Sequence, residues 1–165
     1  MKSRGFTLIE LALVIIVLGI MIAIVIPALG EITDANLRRS ARHLTGLVRF
    51  LRDESEAKKE VYRLRFDVPN GAYWAEVLTR TSDRTVEYKR VSSAIATEGS
   101  LSGGTTFVDV RAGSHPDDPW ILFTPDGWVE PAFIHLRDGD GRDFTLIVKP
   151  LTGNTELREG VVEEK

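Results

Sequence analysis

MKSRGFTLIELALVIIVLGIMIAIVIPALG, residues 1–30, decides how the rest of the chain is read. Lys2 and Arg4 come first, Phe6, Leu8 and Ile9 open an apolar segment, and Glu10 interrupts it. From Leu11 to Ile26 no charged or strongly polar residue occurs, and the next basic residue is Arg38. Extended to Leu29, the run measures about 28 Å as a helix, close to a hydrocarbon core of roughly 30 Å. The pattern predicts a membrane-spanning helix over 11–29. The basic residues before it set the N-terminus in the cytoplasm and the remainder across the membrane. Glu10 is the anomaly. An Asp at the centre of a membrane helix costs roughly 2.5–3.5 kcal/mol on insertion scales. Either Glu10 reaches the interface from the helix end, or it has a partner.

Three architectures fit this start. A secretory signal peptide would use Ala28-Leu29-Gly30 as its small-residue site, with cleavage before Glu31. A signal anchor would stay uncleaved. The third rests on RGFTLIEL (4–11), which resembles the type IV prepilin signature: a short basic leader, Gly, Phe, then a glutamate five residues into the mature chain. That resemblance implies a leader over 1–5, removed by prepilin peptidase between Gly5 and Phe6, and N-methylation of Phe6. It also gives Glu10 a task in filament assembly, as counter-charge to the new α-amino group of a neighbouring subunit. Opposite charges attract strongly where the dielectric is low, and either one unpaired is costly. Pro27 removes the amide that would bond the Ala23 carbonyl and introduces a helix kink. In the family a proline there marks where the helix loosens on packing into a filament.

The totals narrow the rest. The chain has 165 residues and net charge −3, so generic electrostatic binding to nucleic acid is not favoured. It has no cysteine, which removes disulfide frameworks, thiolate catalysis and cysteine-ligated zinc. After Gly30 the pattern becomes amphipathic. Leu37, Ala41, Leu44, Val48 and Leu51 form one apolar stripe, with Arg38, Arg39, Arg42, Arg49 and Arg52 on the other faces. The reading is one helix over 6–59, roughly 80 Å long, and a globular β domain over 60–165. Strands are expected at 61–66, after Asn70-Gly71, and at 85–91, 105–112, 120–123, 132–136 and 144–149. A Ser/Gly-rich loop is expected at 92–104, and a fraying tail from Arg158. The fold class is α+β: a long N-terminal helix, membrane-spanning in its first half, followed by an antiparallel two-sheet domain.

No residue pattern demands catalysis or a cofactor. His43, His115 and His135 lack metal-ligand spacing. Ser114, His115 and Asp117 are adjacent in a turn-rich stretch, whereas a triad requires convergence in space. Asp138, Asp140 and Asp143 in RDGDGRD alternate with glycines, as a calcium loop would, but Asp-Gly equally suits a hairpin turn. Arg63, Arg65, Arg80, Arg84, Lys89 and Arg90 are interleaved with Glu76, Asp83 and Glu87, which reads as a solvated face.

The C-terminal half extends the resemblance. FTPDGWVEPAFIHL and FTLIVKPLTGNTEL are similar to the globular domain of H-type minor pseudopilins and their T-type pilin relatives, through Phe123, Gly127, Thr152 and Gly153. That implies a structural protein, not an enzyme: a minor pseudopilin of a type II secretion system with no cofactor. Its partners would be other pseudopilins, major and minor, prepilin peptidase and the inner-membrane secretion platform, with no nucleic acid. It would cross the bacterial inner membrane once and hold its globular domain in the periplasm. Glu10 argues against the K-type subunit, whose family lacks it. The alternatives are a minor type IV pilin in pilus priming or DNA uptake, and a secreted binding domain released before Glu31.

Overall fold

The computed structural model describes residues 8–80, 85–91, 97–113 and 117–163. For 23–34 only the helical backbone is described. Gly5 and Phe6 therefore lie outside the described residues, as do Ser114 and His115, and Pro27 lies where no side chain is described.

One helix, α1, runs Leu8–Lys58, about 76 Å by its rise per residue. Glu54 holds Lys58 in its last turn at 2.5 Å, and Lys59 takes φ 58°, the left-handed conformation that stops helices. Nine strands follow among the described residues: β1 Tyr62–Asp67, β2 Ala72–Arg80, β3 Val86–Arg90, β4 Glu98–Ser100, β5 Thr106–Ala112, β6 Trp120–Phe123, β7 Ala132–Arg137, β8 Asp143–Val148 and β9 Thr155–Glu159. They form two antiparallel sheets. The first has the order β3-β2-β1-β6, with β4 also on β2; the second is β5-β7-β8-β9. The architecture is the expected α+β arrangement.

Local chemistry accounts for the elements. In β1, Tyr62, Leu64 and Phe66 face inward while Arg63 and Arg65 face out, the period of a half-buried strand. The β1–β2 hairpin forms at Asn70-Gly71, though through residues 68–71 rather than a two-residue loop. The Asp67 carboxylate accepts from the Asn70 amide and side chain, and Gly71 supplies φ 64°. The helix stripe is buried as expected and is joined by Leu47. Leu44, Val48 and Leu51 are fully buried in one core with Leu64, Ile121 and Ile134.

Two stretches differ from the sequence reading. Glu98–Ser100, expected in a loop, is a short strand on β2. Gly99 sits opposite Tyr73, where a Cβ would lie 2.8 Å from the tyrosine hydroxyl. The tail from Arg158 does not fray through Glu163. β9 pairs with β8 from Thr155 to Glu159. Thr145 Oγ1 then donates to the Gly160 carbonyl at 2.7 Å and accepts from the Val162 amide at 3.0 Å.

Replacing a fully buried stripe residue tests this packing. Leu44→Ala is expected to cost about 2–5 kcal/mol, whereas Arg39→Ala on the exposed face should stay within about 0.5 kcal/mol. Denaturant unfolding of the detergent-solubilised chain measures both.

Candidate functional site

The first half of α1 carries the feature most in need of an explanation. Leu8, Ile9, Leu13, Ile16, Ile20 and Met21 are exposed, and so is every other described side chain from 8 to 22. These positions pass round all faces of the helix, so no single stripe is waiting for a sheet. Isolated soluble chains rarely expose apolar surface of that extent; it belongs in lipid or against other helices. Among the described residues no helix is long and apolar enough to cross a membrane. The apolar run read from the sequence, 11–29, continues into 23–34, whose side chains are not described. Glu10 stands in the first turn of the described helix, on this exposed apolar surface. Once such a surface is covered, its carboxylate needs a cation or a donor.

The second half of α1 is fixed to the sheets by the turns whose residues carry the family likeness. Phe123 is fully buried, and the chain then turns back at Gly127 with φ 87°. The Gly127 amide donates to the Thr124 carbonyl at 2.9 Å, and the Thr124 amide to the Trp128 carbonyl at 3.0 Å. The same Thr124 carbonyl accepts from Ser55 Oγ of the helix at 3.1 Å. Gly153, with φ 60°, lies over Val48 and Arg52, and Arg52 donates to the Thr152 carbonyl at 3.0 Å. Both motif glycines thus serve one purpose. They let turn backbone approach the last turns of the helix in a conformation side chains resist.

The other candidates resolve into structural roles. Asp138 is buried. It accepts from the amides of Asp140 and Arg142, both at 2.9 Å, and from the Arg142 guanidinium at 2.7 Å. Asp143 is held by Arg137, which keeps its carboxyl below the ordinary range. These carboxylates build the β7–β8 turn, and among the described residues no group of three is placed to hold a metal ion. In the early strands Arg63 binds Glu76 at 2.6 Å, and Arg65 grips Asp118 with two bonds. Arg63 lies over the Tyr88 ring and Arg90 over Trp74, at 3.7 and 4.4 Å from the centroids. These cations are largely consumed within the domain.

His43 bonds the Tyr73 hydroxyl at 2.7 Å, and burial raises that tyrosine to about 12. His135 is almost wholly buried between the Asp109 carboxylate and the Val162 carbonyl, which Nε2 reaches at 3.1 Å. Burial pushes Asp109 upward, but hydrogen bonds from His135 and Arg111 outweigh it and hold the carboxyl below its usual range. Arg111 also binds Glu163 at 3.0 Å. The C-terminal strap therefore depends on a buried histidine that no spacing rule singled out.

Comparison with known proteins adds a family context. The "Prokaryotic N-terminal methylation motif" family model matches residues 1–26. The chain is 28% identical over 159 residues to the type II secretion system protein H of Pseudomonas aeruginosa, covering 87% of this chain and 90% of that one. It is 24% identical over 157 residues to the type II secretion system protein H of Klebsiella pneumoniae, covering 87% and 92%. A third likeness, 53% over 34 residues, is to the type IV narrow pilus major component PilA5 of Thermus thermophilus, covering 21% of this chain and 29% of that one. Two structures of the minor pseudopilin EpsH from the type II secretion system of Vibrio cholerae share the fold. They superpose with TM-scores of 0.52 and 0.55 at 17% and 14% identity, covering 74% and 78% of this chain and 94% and 97% of theirs. The chain resembles H-type minor pseudopilins along most of its length and has the pseudopilin fold.

Two measurements check these assignments. Asp138→Ala leaves buried donors unmet and should cost about 1–3 kcal/mol, while added calcium leaves the wild-type melting temperature unchanged. The Asp109 carboxyl lies below its unfolded value of about 3.9. Its contribution is therefore complete above about pH 4 and is lost as pH falls through the folded value. The protection factor of the Val162 amide, taken against the intrinsic exchange rate at each pH, should fall on acidification across that window, and Asp109→Asn should remove the dependence.

Proposed function

We propose that this chain is a minor pseudopilin of H type. It is inserted in the inner membrane with its N-terminus in the cytoplasm, cut by prepilin peptidase between Gly5 and Phe6, and N-methylated at Phe6. It then joins a periplasmic filament that drives protein export. The observation that carries the proposal is the uncovered apolar half of α1, continuous with a folded domain, in a chain similar to protein H over 87% of its length. Helices of that kind associate by close packing in lipid or in a filament core. Within such packing the Phe6 amine and the Glu10 carboxylate of adjacent subunits neutralise each other and set register. The loosening expected at Pro27 belongs to the same step. The inner-membrane platform and the other pseudopilins are the partners of this reading, and no cofactor enters it.

The runner-up, a minor type IV pilin, draws on the similarity to a pilus component, which is confined to a stretch of 34 residues. Deleting the gene in the native host separates the two. Exoproteins trapped in the periplasm with normal surface pili are the expected result, and a Glu10→Ala copy should fail to restore export. Normal secretion with lost pili would overturn the assignment. A mature protein beginning at Glu31 instead of methylated Phe6 would exclude a filament subunit altogether.

A further inference from the structure

Most arginines in the sheets hold carboxylates: Arg63, Arg65, Arg111, Arg137 and Arg158 each have one within 3.0 Å, while Arg80 at the end of β2 has none among the described residues. On α1 the pattern reverses ahead of Arg52, which pairs with Glu56. Arg38, Arg39, Arg42 and Arg49 are exposed, and none forms an ion pair among the described residues. No Asp or Glu occurs between residues 35 and 52, although the chain as a whole is acidic. Three of the four line one groove between α1 and β9, of about 280 Å³, where Arg38, Arg42 and Arg49 stand beside Ala41, Leu146 and Leu157 and the Thr45 and Thr155 hydroxyls bond across its inner side at 2.7 Å. A second hollow of about 220 Å³ continues it past Arg38 and Leu157. β9 is the edge of its sheet and pairs only with β8 among the described residues. Arg38 to Arg49 spans about 16 Å along the helix, and the five residues of β9 span about 17 Å.

We propose that this groove receives an extended, carboxylate-rich segment of a neighbouring protein, which adds as a strand to β9 and sets its carboxylates against Arg38, Arg42 and Arg49. The free edge of β9 supplies main-chain hydrogen bonds, the apolar residues of the groove take alternate side chains, and the arginines select acidic ones. A bilayer is the poorer fit, because the arginines run along the helix axis and a surface crossed by that axis meets only the nearest. Nucleic acid would leave both these apolar residues and the strand edge unused.

The test uses the full chain in its native host, with photoreactive benzoylphenylalanine in place of Glu159, which is exposed at the end of β9 and lines the smaller hollow. The captured peptide is sequenced by mass spectrometry. A peptide from another protein bearing a run of Asp or Glu is the expected result. Capture should fall about tenfold in R38E/R42E/R49E, as charge-assisted contacts are lost, and survive in R38K/R42K/R49K. A peptide without that run, capture unchanged by charge reversal, cross-linked lipid or nucleic acid, or no cross-link would each overturn the proposal. If the reversed variant melts earlier than wild type, the lysine variant and the sequence of the captured peptide decide.

Discussion

The packing of Leu37, Leu44, Val48 and Leu51 against both sheets is the contact on which the rest of the molecule depends. It lets one helix serve two environments. Below Leu37, over the described stretch 8–22, side chains are exposed on every face and, Glu10 apart, apolar. From Leu37 onward a single stripe is buried while charged residues cover the remaining faces. Burying one aliphatic side chain of this kind contributes on the order of 1.5–3 kcal/mol, so these four positions hold the domain to a rod whose described side chains at 8–22 stay exposed. Turn backbone at Thr124 and Thr152 adds hydrogen bonds to the same helix from each sheet. The domain thus reads as a cap built round the last turns of α1.

Much of this was legible in the residues, and the reasons are uneven. The helix stripe and β1 show their periodicity openly because one side of each is buried and the other is more exposed. β4 and β9 were missed because Glu-Gly-Ser and Thr-Glu-Leu-Arg-Glu carry little apolar alternation. They are edge strands, and pairing with β2 and β8 makes them strands where their own side chains do not. The strap at Val162 was illegible for another reason. It hangs on Thr145 and His135, which meet it across 17 and 27 residues of sequence. Asp138 posed the opposite problem: its pattern fits two chemistries, and the bonds it makes to the Asp140 and Arg142 amides are those of a turn.

The candidate site divides in the same way. Glu10 stands out in the sequence because a carboxylate in an apolar run is costly, and the helix duly presents it on an exposed apolar surface. Arg38, Arg39, Arg42 and Arg49, without an ion pair among the described residues, did not stand out, since the sequence only shows them as the polar face of an amphipathic helix. Their isolation becomes visible beside the sheets, where nearly every cation has found a carboxylate.

The length and direction of α1 also have a mechanical consequence. A load applied along its axis from the apolar half enters the domain through the side of the helix, where stripe residues over 37–51 and the bonds of Arg52 and Ser55 lie side by side. Such a load shears these contacts together instead of peeling them one at a time. Resistance to forced unfolding is set by the unfolding rate. A domain gripped in this manner can be pushed or pulled as a unit by whatever moves the helix.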